Sequence, residues 1–410
     1  MNYALMHKNV VVALINIDDS SGTIIGIDEI LNEKHLPVGT SYLSHHKVEL
    51  HREALNSWWS NRAIPASRKG VDDALSKLGV YSTTQLLTRC LGLSLSDHYW
   101  IKPSMSPIKW EDVNFFTNDF SDDIGDVLFG YPKKDIGFNY QSPDNTSDGN
   151  LIKRWKIIDG KRCLVKGGSA PYHQETFGEV VASNIMKRLN ICHIPYTLIW
   201  DEKKPYSVCE DFVTTETELV SALKVMSLRP KANHENEYIQ LINICNEIGV
   251  PSIVDAIDKM LTIDFIVANE DRHFRNFGFI RNADTLEWIG FSPIFDSGSS
   301  LGYNKLTSQI ISGEDIVCKP FKKTHNEQLR LVTNFDWLDI SALKNNIEDD
   351  IRSAFVGAEK YVDESRLEAI VMSVKERISY LEMMMENHHS KKNKAGNLSD
   401  IQIDDEDMEI

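Results

Sequence analysis

The segment Asn269-Glu270-Asp271-Arg272-His273-Phe274-Arg275-Asn276, with Phe291-Ser292-Pro293-Ile294-Phe295-Asp296-Ser297-Gly298 after it, decides the fold of this chain. An Asp is followed by four residues and an Asn, then twenty positions on by Asp-x-Gly. The apolar run 260–268 just upstream reads as a buried helix. Phe277-Gly278-Phe279-Ile280 reads as a strand, and Glu287-Trp288-Ile289-Gly290-Phe291 as its hairpin partner across a turn at Arg281-Asn282-Ala283-Asp284. Taken singly, Asp and Asn are most often caps or turn residues. Helix, polar loop, hairpin and Asp-x-Gly in succession instead bring the three polar residues side by side. One carboxylate there can position an acceptor hydroxyl, while an amide oxygen and a second carboxylate can hold Mg²⁺ against phosphate groups.

This order and spacing is that of the protein-kinase catalytic loop and its metal-binding Asp. In Asp271-Arg272-His273-x-x-Asn276 the Arg and His follow the Asp. That arrangement resembles the HipA-like kinases, bacterial serine/threonine kinases of toxin–antitoxin systems, and more distantly the phosphoinositide lipid kinases. The resemblance covers Leu151 to about Val332. It implies an α+β, two-lobed protein-kinase-like fold with a strand-rich N-lobe and a helical C-lobe, here with an extra N-terminal region. It makes Asp271 the catalytic base, Asn276 and Asp296 the metal ligands, and ATP with Mg²⁺ the cofactors. His273 is expected to hold the loop. Gly298 is expected to let the backbone turn sharply after Asp296.

A nucleotide lysine follows from a second pattern. Residues 155–168 read as a hairpin turning at Asp159-Gly160, with a second strand ending in Lys166-Gly167-Gly168. A strand-end lysine before two glycines is placed to reach phosphate oxygens. The next element, 175–189, carries apolar residues at helical spacing, with Glu175 and Glu179 one turn apart. Either could pair with Lys166; the resemblance selects Glu179. The loop 142–150 is the candidate phosphate loop, with Ser147, Asp148 and Gly149 as ligands through a backbone nest. An ordinary exposed turn explains its composition equally well. By the resemblance, Glu210, Asp211 and Phe212 form the hinge that meets adenine, and Ser142 or Ser147 is the autophosphorylation site. The alternative for both serines is turn capping.

Composition bounds the remainder. The 410 residues allow two or three domains, and no apolar run is long enough to span a membrane. The N-terminus lacks a signal-peptide pattern. Six scattered cysteines without a C-x-x-C pair read as reduced core thiols of a cytoplasmic protein without a zinc site. A net charge of −16 argues against broad nucleic-acid binding. The basic patch Lys319-Pro320-Phe321-Lys322-Lys323 reads as a solvated loop.

The organisation expected is an N-terminal region at 1–140 (a strand hairpin plus a small helical part), a kinase N-lobe at 141–222, a helical C-lobe at 223–387 and a disordered acidic tail at 388–410. Short helices are expected at 53–61, 70–78 and 83–91, with Trp58 and Trp59 packing them. Aromatic-rich loops at 99–103 and 112–120 would brace the first region against the kinase. One amphipathic helical run is expected at 350–386. The helix-rich 50–95 departs from the small strand-rich N-terminal subdomain of the family. The resulting expectation is a protein serine/threonine kinase acting on a protein substrate, with an antitoxin as candidate partner. Two rivals are a lipid or small-molecule kinase, disfavoured by the acidic charge, and a catalytically silent nucleotide-binding regulator, disfavoured by intact Lys166, Asp271, Asn276 and Asp296.

Overall fold

The computed structural model describes residues 2–44, 47–310 and 315–399. β-branched runs form the strands Val10–Ile17 and Ile24–Ile30, and the apolar Ala4-Leu5-Met6 lies at the centre of the strand Asn2–His7. With Tyr99–Pro103 they make a four-stranded antiparallel sheet in the order Ile24–Ile30, Val10–Ile17, Asn2–His7, Tyr99–Pro103. The stretch 99–103, expected as a loop, is therefore a strand. Its aromatic residues fill both sides of the sheet, and Trp100 Nε1 donates to the carbonyl of Lys8 at 2.7 Å. The helices Arg52–Ser60, Val71–Leu78 and Thr83–Arg89 fall close to their expected places. Trp58 and Trp59 are buried in the core between sheet and helices.

A second antiparallel sheet runs in the order Lys153–Ile158, Lys161–Gly167, Lys204–Glu210, Thr197–Asp201. Asp159 (φ +50°) and Gly160 (φ +76°) make a tight two-residue turn with both φ positive, which suits Asp-Gly. That turn fixes the register, so Lys153 stands directly opposite Lys166. The stretch 112–120 does brace the first region: the Arg162 guanidinium donates to the carbonyls of Phe115 and Asn118.

The helix Gln174–Arg188 lies between the lobes and joins one large core running into the C-lobe. The helix Ile340–Ala354 grips its far end. Arg188 makes two 2.6 Å bonds to the Asp350 carboxylate, and Phe177 stacks on Phe355 at 4.9 Å. In the C-lobe, Ile253–Val267 is buried along most of its length, as the apolar run predicts. The strands Thr217–Ser221, Gly278–Asn282 and Trp288–Phe291 form a three-stranded antiparallel sheet. Thr217–Ser221 thus pairs with the catalytic hairpin, although it precedes the expected lobe boundary.

Three expectations are corrected. The helical run at 350–386 is two helices, Ile340–Ala354 and Glu364–Ser399. Gly357 takes a left-handed φ of +80° between them, and Asp363 accepts the Arg366 amide to start the second. That second helix continues through 388–399, so disorder from 388 is not what the chain adopts there. Lys391, Lys392, Lys394 and Ala395 are good helix formers and extend a helix already packed upstream; 400–410 lie outside the described residues. Five cysteines are buried, but Cys192 is exposed, in the turn after the helix Gln174–Arg188. Among the described residues no helix is long and apolar enough to cross a membrane.

The N-terminal sheet docks on the C-lobe sheet through buried polar groups. Glu218 accepts from Arg281 and lies 3.1 Å from His7 Nε2, while Arg281 Nη2 donates to Tyr99 Oη at 2.9 Å. His98 Nε2 meets the Thr217 carbonyl at 2.9 Å, and the Leu219 amide donates to Ser96 O at 2.9 Å. Truncating one partner of a buried ion pair leaves the other charge uncompensated. Arg281→Ala is therefore expected to cost about 3–5 kcal/mol, read from urea unfolding at neutral pH. A loss below about 1 kcal/mol, the worth of an exposed pair, would show that this junction does not hold the N-terminal region.

Candidate active site

Two glycines let the Asp-x-Gly segment approach the helix Gln174–Arg188. A Cβ on Gly178 would meet the Gly298 carbonyl oxygen at 2.9 Å, and one on Gly298 would meet the Glu175 carbonyl oxygen at 2.8 Å. Gly298 therefore serves close packing. The residue with positive φ is Asp296 itself, at +58°. That corrects the expectation of a sharp turn at Gly298.

Lys166 is buried at the centre of this contact. Its Nζ donates to Glu179 Oε1 at 2.8 Å, Asp296 Oδ1 at 2.9 Å and Tyr196 Oη at 3.2 Å. Glu179 Oε2 accepts the Ser297 amide at 2.8 Å. Of the two candidate glutamates, Glu179 is thus the partner. Glu175 instead accepts from the backbone and hydroxyl of Ser169, closing the glycine loop. Burial opposes charge on Lys166, yet Asp296 and Glu179 outweigh it and hold the ammonium protonated well above its usual range. Burial likewise opposes ionisation of Asp296, but Lys166 and then Lys153 keep it well below the usual carboxylate range. Glu179 is pushed up by its burial, with Lys166 pulling the other way.

Sequence reasoning missed Lys153. It lies across the sheet from Lys166 and is buried, and a Cβ on Gly149 would come within 2.7 Å of its Nζ. Burial lowers its pKa to about 8, with Asp296 opposing and Lys166 and Arg68 adding to the depression. The signal was available: the Asp159-Gly160 turn, counted back residue by residue, pairs 153 with 166.

The loop 142–150, for which a phosphate nest and an ordinary exposed turn are both open readings of the sequence, is packed into the protein over 142–147. Pro143–Thr146 is a 3-10 turn capped by Ser142, and Ser142, Asp144, Asn145 and Ser147 are buried. Asp144 accepts the Trp155 amide at 2.7 Å, and burial raises its pKa to about 7. Ser147 Oγ donates to the Asp144 carbonyl and accepts from Arg68, so Ser147 is committed within the protein. Arg68, from the N-terminal region, also binds the carbonyls of Ser147 (2.5 Å) and Gly149 (2.8 Å). Gly149 (φ +87°) and exposed Asp148 carry the loop past Lys153. No local pattern could announce Arg68, which acts from about eighty residues upstream.

At the hinge, Glu210 pairs with Lys161 at 2.7 Å on the exposed side of the sheet. The Asp211 amide donates to the Arg162 carbonyl, and the Asp211 carboxylate, pushed up to about 8 by burial, accepts the Val213 amide. Phe212 lies 5.7 Å from Phe295, the residue before Asp296. Of the three expected hinge residues, Phe212 is the one whose ring sits beside the Asp296 segment.

Arg272 joins the catalytic loop to the Asp-x-Gly segment. Fully buried, it forks onto both oxygens of Asp264 at 2.8 and 2.9 Å. It also donates to the carbonyls of Asn276 and Phe295 and to Ser297 Oγ. One guanidinium nitrogen thereby serves the carbonyl of Asn276 and that of the residue before Asp296, which brings the two expected metal ligands together. Asn276 Nδ2 donates to the Asp271 carbonyl at 2.9 Å, which fixes its amide and leaves Oδ1 for a ligand. Asp271 is half-exposed, with Lys319 Nζ at 2.7 Å from Oδ1 and His273 Nε2 at 3.8 Å from Oδ2. His273 Nδ1 accepts the Arg275 amide at 3.3 Å, in keeping with a loop-holding role. Removing the fork strands the buried Asp264. Arg272→Ala should cost about 3–5 kcal/mol of stability. Arg272→Lys keeps the charge but not the planar fork and should recover only part of it; full recovery in a denaturant titration would refute the bridging role.

The solved toxin–antitoxin protein HipA of Shewanella oneidensis, determined with HipB and its operator DNA, is 12% identical, with a TM-score of 0.54 over 92% of this chain and 97% of that one. It shares the fold, N-terminal region included. The solved proinflammatory kinase CtkA of Helicobacter pylori aligns over 55% of this chain and 90% of its own, at 21% identity and a TM-score of 0.45. In sequence, the serine/threonine-protein kinase CtkA of Helicobacter pylori is 27% identical over 180 residues, 40% of this chain. The chain spans about half the length of that curated relative. The family model of the HipA-like C-terminal domain matches residues 145–379, more than half of the chain and beyond the 151–332 that the motifs suggest. The chain belongs to the HipA-like C-terminal domain family.

Proposed function

We propose that this protein is an ATP- and Mg²⁺-dependent protein serine/threonine kinase of the HipA-like kind. The observation that carries this reading is Lys166, buried between Glu179 and Asp296, on the segment that Arg272 ties to the Asp271–Asn276 loop. The donor set fits Mg²⁺. Asp296 is held ionised and the Asn276 oxygen is left by its own amide contact. Mg²⁺ characteristically takes one or two protein oxygens plus substrate phosphates. Among the described residues no three His, Cys, Asp or Glu side chains gather into a ready-made cation cage. When bound, the metal would neutralise phosphate charge.

The chain's own residues do the rest. Lys166 and Lys153 offer cationic charge to the phosphate oxygens, and Phe212 with Phe295 offers an aromatic wall to the base. Asp271 orients the acceptor hydroxyl and takes its proton as that oxygen attacks the γ-phosphorus. The bond from the γ-phosphorus to its bridging oxygen breaks, and ADP leaves. Most of the acceleration is positioning and charge stabilisation.

Autophosphorylation at Ser142 or Ser147 would require the 142–147 turn to leave its packing, since both hydroxyls are buried and hydrogen-bonded. An antitoxin is the proposed partner, by analogy with the HipA–HipB complex of the structural neighbour.

Phosphate transfer from γ-labelled ATP to casein tests the reading. Asp271→Asn should abolish transfer while leaving nucleotide binding nearly intact, whereas Asp296→Asn should weaken Mg²⁺-ATP binding as well. Full activity in either variant would remove the assignment. Lys153 adds a pH dependence. Charged below a pKa of about 8 and neutral above it, it should lose its hold on phosphate as pH rises from 7 to 9, and nucleotide affinity should fall over that window. Lys153→Arg stays charged throughout; an equally steep fall in that variant would exclude Lys153 as the cause.

A further inference from the structure

The catalytic loop's own cations are committed elsewhere. Arg272 is fully buried and makes five hydrogen bonds. Arg275 turns toward Asp148 at 3.9 Å and Asn61 at 3.5 Å. The cation that reaches Asp271 is Lys319, 48 positions further along the chain, at 2.7 Å.

Lys319 is not carried by a loose surface loop. Gln328, buried, donates through Nε2 to the Lys319 carbonyl at 2.7 Å and accepts at Oε1 the amides of Phe321 (3.0 Å) and Lys322 (3.3 Å). The Cys318 amide donates to the Lys323 carbonyl at 2.9 Å and closes the loop. Phe321 is inserted against Tyr238 at 5.3 Å and Phe274 at 5.7 Å. A solvated lysine would need none of this. The loop presents an ammonium, 54% exposed, beside a carboxylate that is 39% exposed, so an acceptor hydroxyl has access to both.

An exposed pair of this kind contributes at most about 1 kcal/mol to folding, so stability does not explain its construction. Phosphoryl transfer does. Negative charge builds on the equatorial oxygens of the transferring group, and a preorganised cation there lowers the barrier. Lys166 sits at the Asp296 side of the cleft; among the described residues, Lys319 is the lysine or arginine paired with Asp271.

We propose that Lys319 is a catalytic residue that donates hydrogen bonds to the transferring phosphoryl group while keeping Asp271 aimed at the acceptor. No bond to Lys319 forms or breaks: the acceptor proton goes to Asp271, and the leaving group is ADP. This inference rests on the kinase reading above.

The test uses the full chain with γ-labelled ATP and casein, comparing Lys319→Met, Lys319→Arg, Lys322→Met on the neighbouring lysine, and Asp271→Asn as the zero. Thermal midpoints establish that each variant is folded. Lys319→Met should lower kcat about 100-fold, the scale of losing one transition-state donor, with KM for ATP changed less than about threefold. It should bind Mg²⁺-ADP normally but lose most of the extra affinity of the wild type for Mg²⁺-ADP with aluminium fluoride, a split that a merely structural role would not produce. Lys319→Arg should restore roughly a tenth or more of the lost rate, and Lys322→Met should match the wild type. A Lys319→Met variant as fast as the wild type, or faster, overturns the proposal, as does equal loss of ADP and analogue binding. Wild-type protein that transfers no more phosphate than Asp271→Asn overturns the kinase reading and this proposal with it.

Discussion

One buried ammonium sets the geometry of this protein. Lys166 comes from a strand, Glu179 from the helix between the lobes and Asp296 from the segment after the C-lobe hairpin. Any of the three charges alone in that interior would be strongly unfavourable, and the one ammonium of Lys166 compensates both carboxylates. Together they are satisfied only when sheet, helix and segment meet in one arrangement. The close approaches of Gly178 and Gly298 follow, because side chains there would hold the helix and the segment apart. So does the left-handed backbone of Asp296, a conformation that costs a non-glycine residue on the order of 1 kcal/mol and persists because its neighbours fix it. The helix carrying Glu179 is also pinned from behind by the Arg188–Asp350 fork.

Arg272 gives a physical account of the order Asp271-Arg272-His273. With the arginine directly after Asp271, its guanidinium enters the core while Asp271 stays partly exposed. Its five donors are spent on Asp264, on the carbonyls of Asn276 and Phe295, and on Ser297. A lysine, a point charge with three donors, cannot serve that many partners in a plane. The cost of the arrangement is that the loop has no free cation beside Asp271, the position that Lys319 occupies from another segment.

What the sequence made legible was what lies close along the chain. The catalytic loop, its hairpin and the Asp-x-Gly are contiguous, and their periodicity changes from helical to alternating at the loop, so both the lobe and its Asp, Asn and Asp could be read. Lys166 was legible because it ends a strand at two glycines. Lys153 could have been read from the same hairpin, had the register been counted back from the Asp159-Gly160 turn. Arg68, Tyr196 and Lys319 could not: each reaches the site from a distant segment, and nothing local distinguishes it from an ordinary surface or core residue. The serines of the 142–150 loop were ambiguous for the opposite reason. Small polar residues suit a phosphate nest and a capped turn equally, and the contacts of Arg68 and Asp144 that bury the turn are visible only in three dimensions. Tyr99–Pro103 failed as a loop because an aromatic strand buried on both faces lacks the alternation by which a half-buried strand is recognised.

The overall charge of −16 says little about the charges that surround Lys153. Lys153 and Lys166 stand directly opposite each other on neighbouring strands, a placement that is destabilising for like charges. Asp296 is held ionised by both, but Lys166 also has Glu179, while Lys153 meets the opposing charges of Lys166 and Arg68. Burial and repulsion together bring Lys153 to a pKa of about 8, which is where a lysine short of anions settles. A polyphosphate, on the proposed reading, would supply negative charge to Lys153. The depressed Lys153 is thus the counterpart of the protonated Lys166: one lysine is paired with two carboxylates, the other has no such pair among the described residues.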